Sequence, residues 1–501
     1  SSAASDVYKR QVKGCSRAWL DQQNDVTVKD VRLSHQENFV SVEHLKRYTT
    51  LGMATDQGKT SNMGGLAIMA ELTGKTIPEV GTTIFRPPYT PTAIGAFAGR
   101  DRGTNFRPTR KTPSHTWAEE QGAVFVEVGM WLRAQWFPQP GETHWRQSVD
   151  REVLATRNSV GICDVTTLGK IDVQGADAAI FLNKIYCNGF AKLLVGKTRY
   201  GLMLREDGIA MDDGTAARLA EDHFVVTTTT ANAVSVFRHM EFARQCLWPD
   251  LDVQLISTTE AWAQYAVAGP NARNLLKKVV DPEFDLSNDA FPFMACANIT
   301  VCGGLRARLF RISFSGELAF EIAVPTRYGD AMIRRLMHAG EEFEAIPYGT
   351  EALGVMRIEK GHAAGNELNG TTSALNLGME RMVSKKKDSI GSTLSERVGL
   401  NTDDALKLVG LRPVDPKNPV PAGSHLMTRG DPVDAAHDQG YVTSACYSPN
   451  LGCSIALAYL KSGDNRKGEI LRLVSPLTGF DHEVEVVSAH FIDPEGERLR
   501  A

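Results

Sequence analysis

The sequence has eight cysteines and no CxxC pair among them, so zinc or iron–sulfur ligation has no spacing to support it. Scattered as they are, they read as free buried thiols of a reducing cytoplasm. The 12 histidines include no HxxxH or HExxH, so no metal is expected. There is no apolar run of about 18 residues or more, which leaves no candidate membrane span. The net charge of -4 offers no basic field for nucleic acid. No GxGxxG follows a strand pattern, so the fingerprint of dinucleotide binding is missing. The chain opens on SSAASDVYKRQ without Met, an apolar core or helical periodicity, and residues 1–15 are expected to be a remnant outside the native fold.

What remains is an ordinary globular composition, 42% hydrophobic and 23% charged, over 501 residues. The stretch from Tyr200 to Asn232 organises it. Tyr200–Leu204 is a short apolar strand, and Arg205-Glu206-Asp207-Gly208 is a tight turn. Ile209–Met211 resumes the strand, and the adjacent acids Asp212 and Asp213 are expected to interrupt it. His223–Thr230 is a β-branched run that reads as a third strand. Neighbouring acids in a strand face opposite sides of the sheet. One of them therefore points inward, unless the hairpin end is solvated and both are ordinary surface acids. A carboxylate in an apolar cavity holds its proton more tightly, which suits acid–base work on an amine.

Around this stretch the chain divides into blocks. Residues 16–80 hold a helical pattern at Val42, Leu45 and Tyr48, then the loop TTLGMATDQGKTSNMGG and a helix from Gly65 to Leu72 that stops at Gly74. Gly58-Lys59-Thr60 imitates a phosphate-binding loop. One residue too many separates Gly52 from Gly58 for that motif, and no buried strand precedes it. The exposed amides, Lys59 and hydroxyls could still form an anion nest, or simply a turn. Residues 81–115, rich in Thr, Pro, Gly and Arg, read as an extended linker arm. Residues 116–400 alternate strands and helices twice, as KIDVQGADAAIFL and then QYAVAGPNARNLL. The pattern implies an α+β domain with an internal pseudo-repeat. Residues 401–501 carry five short strands between Gly/Pro/Asp turns and read as a small barrel or sandwich.

Six segments, ICDVTTLGKIDVQG, GLMLREDGIAMDD, AVAGPNA, FSGELAFEIAVP, MRIEKG and GYVTSACYSPNLGCSIALA, occur in the order of the aminomethyltransferase (glycine-cleavage T-protein) family. Residues 155–495 resemble that family's folate-binding domain and C-terminal β-barrel. Upstream, SVEHLKRYTTLGMATDQGKTSNMGGLAIMAELTG, FRPPYTPTAIGA and RKTPSHTWAEEQGAVFVEVGMWLRAQWF closely resemble alpha subunits of heterotetrameric sarcosine oxidases. On that resemblance the first block is a partial remnant of the dinucleotide-binding region, and the chain is the C-terminal part of a longer subunit.

The resemblance implies oxidation of sarcosine to an imine at a flavin, with tetrahydrofolate capturing the one-carbon unit as methylenetetrahydrofolate. Glycine and hydrogen peroxide are the other products. FMN would lie at the interface with a beta subunit, NAD only in the missing N-terminal region, and smaller subunits would complete a cytoplasmic assembly. Asp213 matches the family's catalytic acid, with Asp212 as its competitor. Glu321 matches a glutamate that receives the pterin's amino-pyrimidine edge. Arg357 would pair with folate's glutamate tail, Tyr200 and Leu168 would line the pocket, and Phe314 stands where the family often has tyrosine. Thr49, Thr50, Lys59, Thr60 and Asn62 would approach the flavin phosphate. A free-standing aminomethyltransferase and a non-catalytic folate-binding module are the other functional classes consistent with these motifs.

Overall fold

The computed structural model describes residues 17–87, 89–106 and 108–501. The expectation for residues 1–15 falls outside the described residues. The chain forms two units, divided after Pro108.

In the first unit β1 (Trp19–Asp21) pairs antiparallel with β2 (Val26–Thr27). Three helices follow, α1 (Val28–Gln36), α2 (Val42–Thr49) and α3 (Asn62–Thr73), then the short α4 (Ile77–Val80) and α5 (Ile94–Phe97). Thr27 and Asp30 form a capping box that starts α1, and Gly74 at φ +66° ends α3. Leu20, Val31, Leu45, Leu51 and Met69 pack into its core. Among the described residues this unit has a two-stranded antiparallel ribbon and helices, and no parallel sheet. The linker arm is not wholly extended, because α5 and a 3-10 turn at Gly103–Asn105 interrupt it.

The second unit opens with β3 (Arg110–Lys111), α6 (His115–Glu120), β4 (Val124–Val128) and β5 (Trp131–Trp136), the three strands forming one small sheet. After α7 (Trp145–Asn158) come β6 (Gly161–Asp164), β7 (Gly169–Gln174), α8 (Ala178–Ile185), β8 (Lys197–Leu204), β9 (Ala210–Ala220), β10 (His223–Thr228) and α9 (Ala233–Phe242). Then the order repeats: β11 (Gln254–Ser257), β12 (Trp262–Ala268), α10 (Ala272–Leu276), β13 (Cys296–Val301), β14 (Leu305–Phe310), β15 (Ala319–Pro325) and α11 (Gly329–Ala339). Two sheets result, β11-β7-β10-β9-β8 and β13-β14-β15-β12-β6, the latter extended by β16 (Ile346–Pro347) beside β6.

The two halves exchange their leading strands. β6 precedes β7 in the chain yet pairs with β12, and β11 precedes β12 yet pairs with β7. Each exchange passes a glycine at the same point, Gly175 (φ +130°) and Gly269 (φ +126°). The Gly175 N–H donates to the Asp222 carbonyl and the Gly269 N–H to the Leu318 carbonyl, each just before the last strand of its own half. A Cβ at either position would meet a carbonyl oxygen, that of Asp252 at 2.1 Å or those of Ser159 and Thr156 at 2.4 Å. Glycine is required at both. The motifs QGADA and AGPNA are therefore structurally equivalent, and the internal repeat read from sequence is present.

Alternation in the strands sends Ile171, Val173, Ala216, Phe224 and Val226 to the helix-covered outer face of the first sheet. Val267, Leu309, Phe320 and Ile322 do the same in the second. The opposite faces meet between the sheets, where Ala217, Val225, Cys296, Phe310 and Ala323 share one cluster.

Past α12 (Thr350–Lys360), six strands close a barrel in the order β17-β20-β19-β18-β21-β22. They are β17 (Leu406–Pro413), β18 (His425–Met427), β19 (Asp438–Ser448), β20 (Cys453–Lys461), β21 (Ile470–Ser475) and β22 (Phe480–Val487). The strand not foreseen, β18, has three residues, too few for alternation to show. No helix among the described residues is long and apolar enough to cross a membrane.

Candidate active site between the two sheets

Asp212 and Asp213 do not break their strand. β9 runs through them, with Asp212 opposite Met203 and Asp213 opposite Leu202 on β8. A strand tolerates this because each acid finds its own surroundings. Asp212 turns to the helix-covered face, where Thr229 donates from its backbone and hydroxyl and Asn232 from its side-chain amide. Burial raises its proton affinity, and those three donors oppose the rise.

Asp213 turns the other way, to the face between the sheets. The Tyr200 hydroxyl donates to its Oδ2 at 2.9 Å. Burial, reinforced by the charge of Asp212, pushes the Asp213 carboxyl up to about 6, against the lowering effect of that single hydrogen bond. Tyr200 itself is held well above the ordinary tyrosine range by burial and by the neighbouring acid. On the same face, the Thr227 and Thr215 hydroxyls lie 2.8 Å apart.

Glu321 sits on β15 between Phe320 and Ile322, whose side chains fill the outer core, so its own side chain enters the inter-sheet space. It is 7% exposed and accepts a hydrogen bond from the Gln264 amide on β12. Burial raises its proton affinity, with Gln264 and the positive charge of Lys170 opposing. Lys170 is 1% exposed, and its ammonium donates to the carbonyls of Thr166 and Leu168. Burial lowers it to about 8, while the charges of Asp164 and Glu321 pull it back up.

Register shows which groups face each other across the gap. Thr215 of the first half corresponds to Arg308 of the second, and Asp172 to Ala266. Arg308 spans the sheets to pair with Asp172 at 2.7 Å. Asp213 and Thr215 share the inter-sheet face of β9, and Gln264, Ala266 and Glu321 share that of β12 and β15. Leu168 packs beside Ala266 at the edge of this space. Asp213 and Tyr200 thus lie on the inter-sheet face of the first sheet and Glu321 on that of the second, with Leu168 on the turn before β7 and Asp212 on the opposite face of β9. Lys170, Gln264, Thr215 and Thr227 belong to these inter-sheet faces as well. They were missed because each looks like an ordinary strand residue. Aligning the two glycines would have exposed Lys170 and Gln264 as an equivalent pair.

Three expectations land elsewhere. The Arg357 guanidinium on α12 is committed to Glu367 at 2.8 Å, to the Ser444 hydroxyl at 2.6 Å and to the His362 carbonyl. It joins the helix to the barrel and is not free for a folate tail. Phe314 is 39% exposed on the loop before β15, where its ring stacks on His362. In the first unit, the Asp56 carboxylate takes the Gly58 and Thr60 amides. Thr60 also gives its hydroxyl to Asp56. Lys59 reaches the Tyr89 carbonyl at 2.7 Å, Thr49 bonds Leu45, Thr50 ends α2 at φ +64° with its hydroxyl on the Thr49 carbonyl, and Asn62 donates to Thr83. An acid in the middle of the loop leaves no nest for a flavin phosphate.

Models of three domain families match the chain. The GCVT N-terminal domain covers residues 114–387, more than half of it. The chain belongs to the GCVT family. The C-terminal barrel domain of the glycine cleavage T-protein matches residues 407–493, and the sarcosine oxidase A3 domain matches residues 15–100. This GCVT-family chain is 51% identical to the sarcosine oxidase subunit alpha of Rhizobium meliloti (strain 1021) over 96% of its own length and 49% of the relative's. It is 45% identical to the subunit alpha of Corynebacterium sp. (strain P-1), over 96% of its length and 50% of that protein. The chain thus spans about half the length of these curated relatives. The crystal structure of aminomethyltransferase T from Bartonella henselae superposes with a TM-score of 0.65 at 24% identity, over 77% of this chain and 98% of that one. That likeness establishes the same fold.

Proposed function

We propose that this GCVT-family chain is the folate-handling part of a sarcosine oxidase alpha subunit. It captures the one-carbon unit of oxidised sarcosine on tetrahydrofolate, giving 5,10-methylenetetrahydrofolate, with glycine and hydrogen peroxide formed by the whole enzyme. Its partners would be a beta subunit and smaller subunits of a heterotetramer. The observation that carries the reading is Asp213, on the inter-sheet face of β9, whose carboxyl burial pushes up to about 6 and which takes one side-chain donor, Tyr200.

Tetrahydrofolate supplies the amine nucleophiles, and this chain's residues do the rest. Glu321 accepts N–H bonds from an amino-pyrimidine edge, which fixes orientation. Lys170 favours the charged form of Glu321 against burial and holds the Leu168 turn in place through its two carbonyl bonds. Asp213 accepts the proton released as the amine attacks, a task for which a carboxyl near neutrality is suited. Tyr200 holds Asp213 by Oδ2, leaving Oδ1 to face the reacting amine.

The first unit and its match to the sarcosine oxidase A3 domain favour this reading over a free-standing aminomethyltransferase. The test is a titration of the chain with tetrahydrofolate, followed by thermal stabilisation, for wild type and Glu321→Gln. Saturable stabilisation that weakens in Glu321→Gln supports the reading. Absence of any stabilisation in the wild type removes it.

A further inference from the structure

The internal repeat leaves a second position equivalent to the Asp213 site. Register maps Asp213 onto Arg306, Tyr200 onto Asn298, Leu202 onto Thr300 and Thr215 onto Arg308. Counting back from Gly175 and Gly269 maps Leu168 onto Trp262. These five counterparts, Trp262, Asn298, Thr300, Arg306 and Arg308, line a single open groove. It is the mate of the first site, and its chemistry is reversed.

In the first site the strands present acids, and the segment that follows α12 roofs them, with Ala363, Ala374 and Leu377 packed on Leu202. In the second, Asn298, Thr300 and Arg306 are exposed. Arg308 lies over the Trp262 ring at 4.2 Å and is already neutralised by Asp172. Arg306 and Asn298 engage no other side chain among the described residues. Glu283 is the one acid in the lining. A free guanidinium beside a side-chain amide, in front of an indole, presents a planar set of donors.

We propose that this groove binds a small organic carboxylate, held by a two-pronged contact to Arg306 with Asn298 as the second donor. The planar fork of arginine matches two carboxylate oxygens. The inference rests on register and charge, and holds whether or not the first site takes folate.

The test is isothermal titration of the whole 501-residue chain with glutarate, and separately with inorganic phosphate, at low and at physiological ionic strength. The expected result is saturable binding of one glutarate, weakened about tenfold or more in Arg306→Ala, since a hydrogen bond to a charged group contributes on that scale. Asn298→Ala weakens it less, and Arg306→Asp removes it. Asp213→Asn leaves glutarate binding unchanged. The exposed position of Arg306 lets its variants fold, which a thermal melt checks. No saturable heat with glutarate overturns the proposal. So does an unchanged affinity in Arg306→Ala. Phosphate binding more tightly than glutarate overturns the carboxylate assignment.

Discussion

The two halves of the second unit share backbone, register and outer core, yet differ at nearly every inter-sheet position. Phe224 and Phe320 are equivalent and both fully buried, and Gly175 and Gly269 turn the chain identically. Against that constancy, Lys170 faces Gln264 in the alignment, Asp172 faces Ala266, Val225 faces Glu321, and Asp213 faces Arg306. One half closes its space with an arginine–aspartate pair, and the other leaves an acid with a single partner. Packing fixes the outer faces, because a buried helix interface tolerates little change. The inner faces are free to diverge, and the chemistry has collected there.

The largest expected effect separates the halves by function. Asp213→Asn in the assembled enzyme should lower methylenetetrahydrofolate formation by about 10²–10⁴-fold, the range of a lost general base. Peroxide production should be largely spared, as should binding of tetrahydrofolate. Parallel loss of both products, measured in one assay, would place the role of Asp213 outside one-carbon capture. The matching change in the other half, Arg306→Ala, should leave both rates alone.

Next comes the closed pair. Arg308→Ala leaves Asp172 buried with only His223 and Thr258 to answer its charge. Removing one member of a buried pair costs about 3–5 kcal/mol. Thr215→Ala, at the equivalent position, removes a neutral hydroxyl contact and should cost about 1 kcal/mol. Denaturant unfolding of the two variants measures the contrast. Equal losses would mean that Arg308 does not carry the inter-sheet pairing assigned to it.

The glycines test the likeness itself. Gly175→Ala and Gly269→Ala both impose a strained φ and a clash with a carbonyl, so each should cost at least about 1–3 kcal/mol. A large cost in one and none in the other would show that the halves do not use the same turn.

Much of this was readable before any coordinates. The Asp-Gly turn at Asp207 and Gly208 and the repeat follow from local spacing, whereas spacing alone left the last block a barrel or a sandwich. The inner-facing direction of Glu321 also follows from alternation, once Phe320 and Ile322 are placed in the core. What did not follow was whatever depends on contacts distant in sequence. Arg357 looked available because its partners Glu367 and Ser444 come from a loop and a barrel strand. The Lys59 loop is the exception, since the acid that takes its amides, Asp56, lies only two and four residues away and its turn was local. The leading-strand exchange is invisible in sequence, since β6 and β7 are neighbours in the chain and part company in space.

The smallest effect expected is one of pH, and it again distinguishes the halves. The Asp213 carboxyl is raised from an ordinary 3.8 to about 6 in the fold. The folded chain therefore binds this proton more tightly than the unfolded chain does. The favourable contribution is complete below about pH 4 and fades as pH rises through about 6. Two units correspond to at most about 3 kcal/mol at 1.36 kcal/mol per unit. Asp213→Asn should flatten this part of the stability-versus-pH curve and be more stable than wild type at pH 7 by the same amount. Arg306→Ala should leave the slope untouched. Unfolding curves at steps between pH 4 and 7 measure both. A slope that persists in Asp213→Asn would locate the titrating group elsewhere, with Glu321 the next acid to substitute because burial raises it in the same direction.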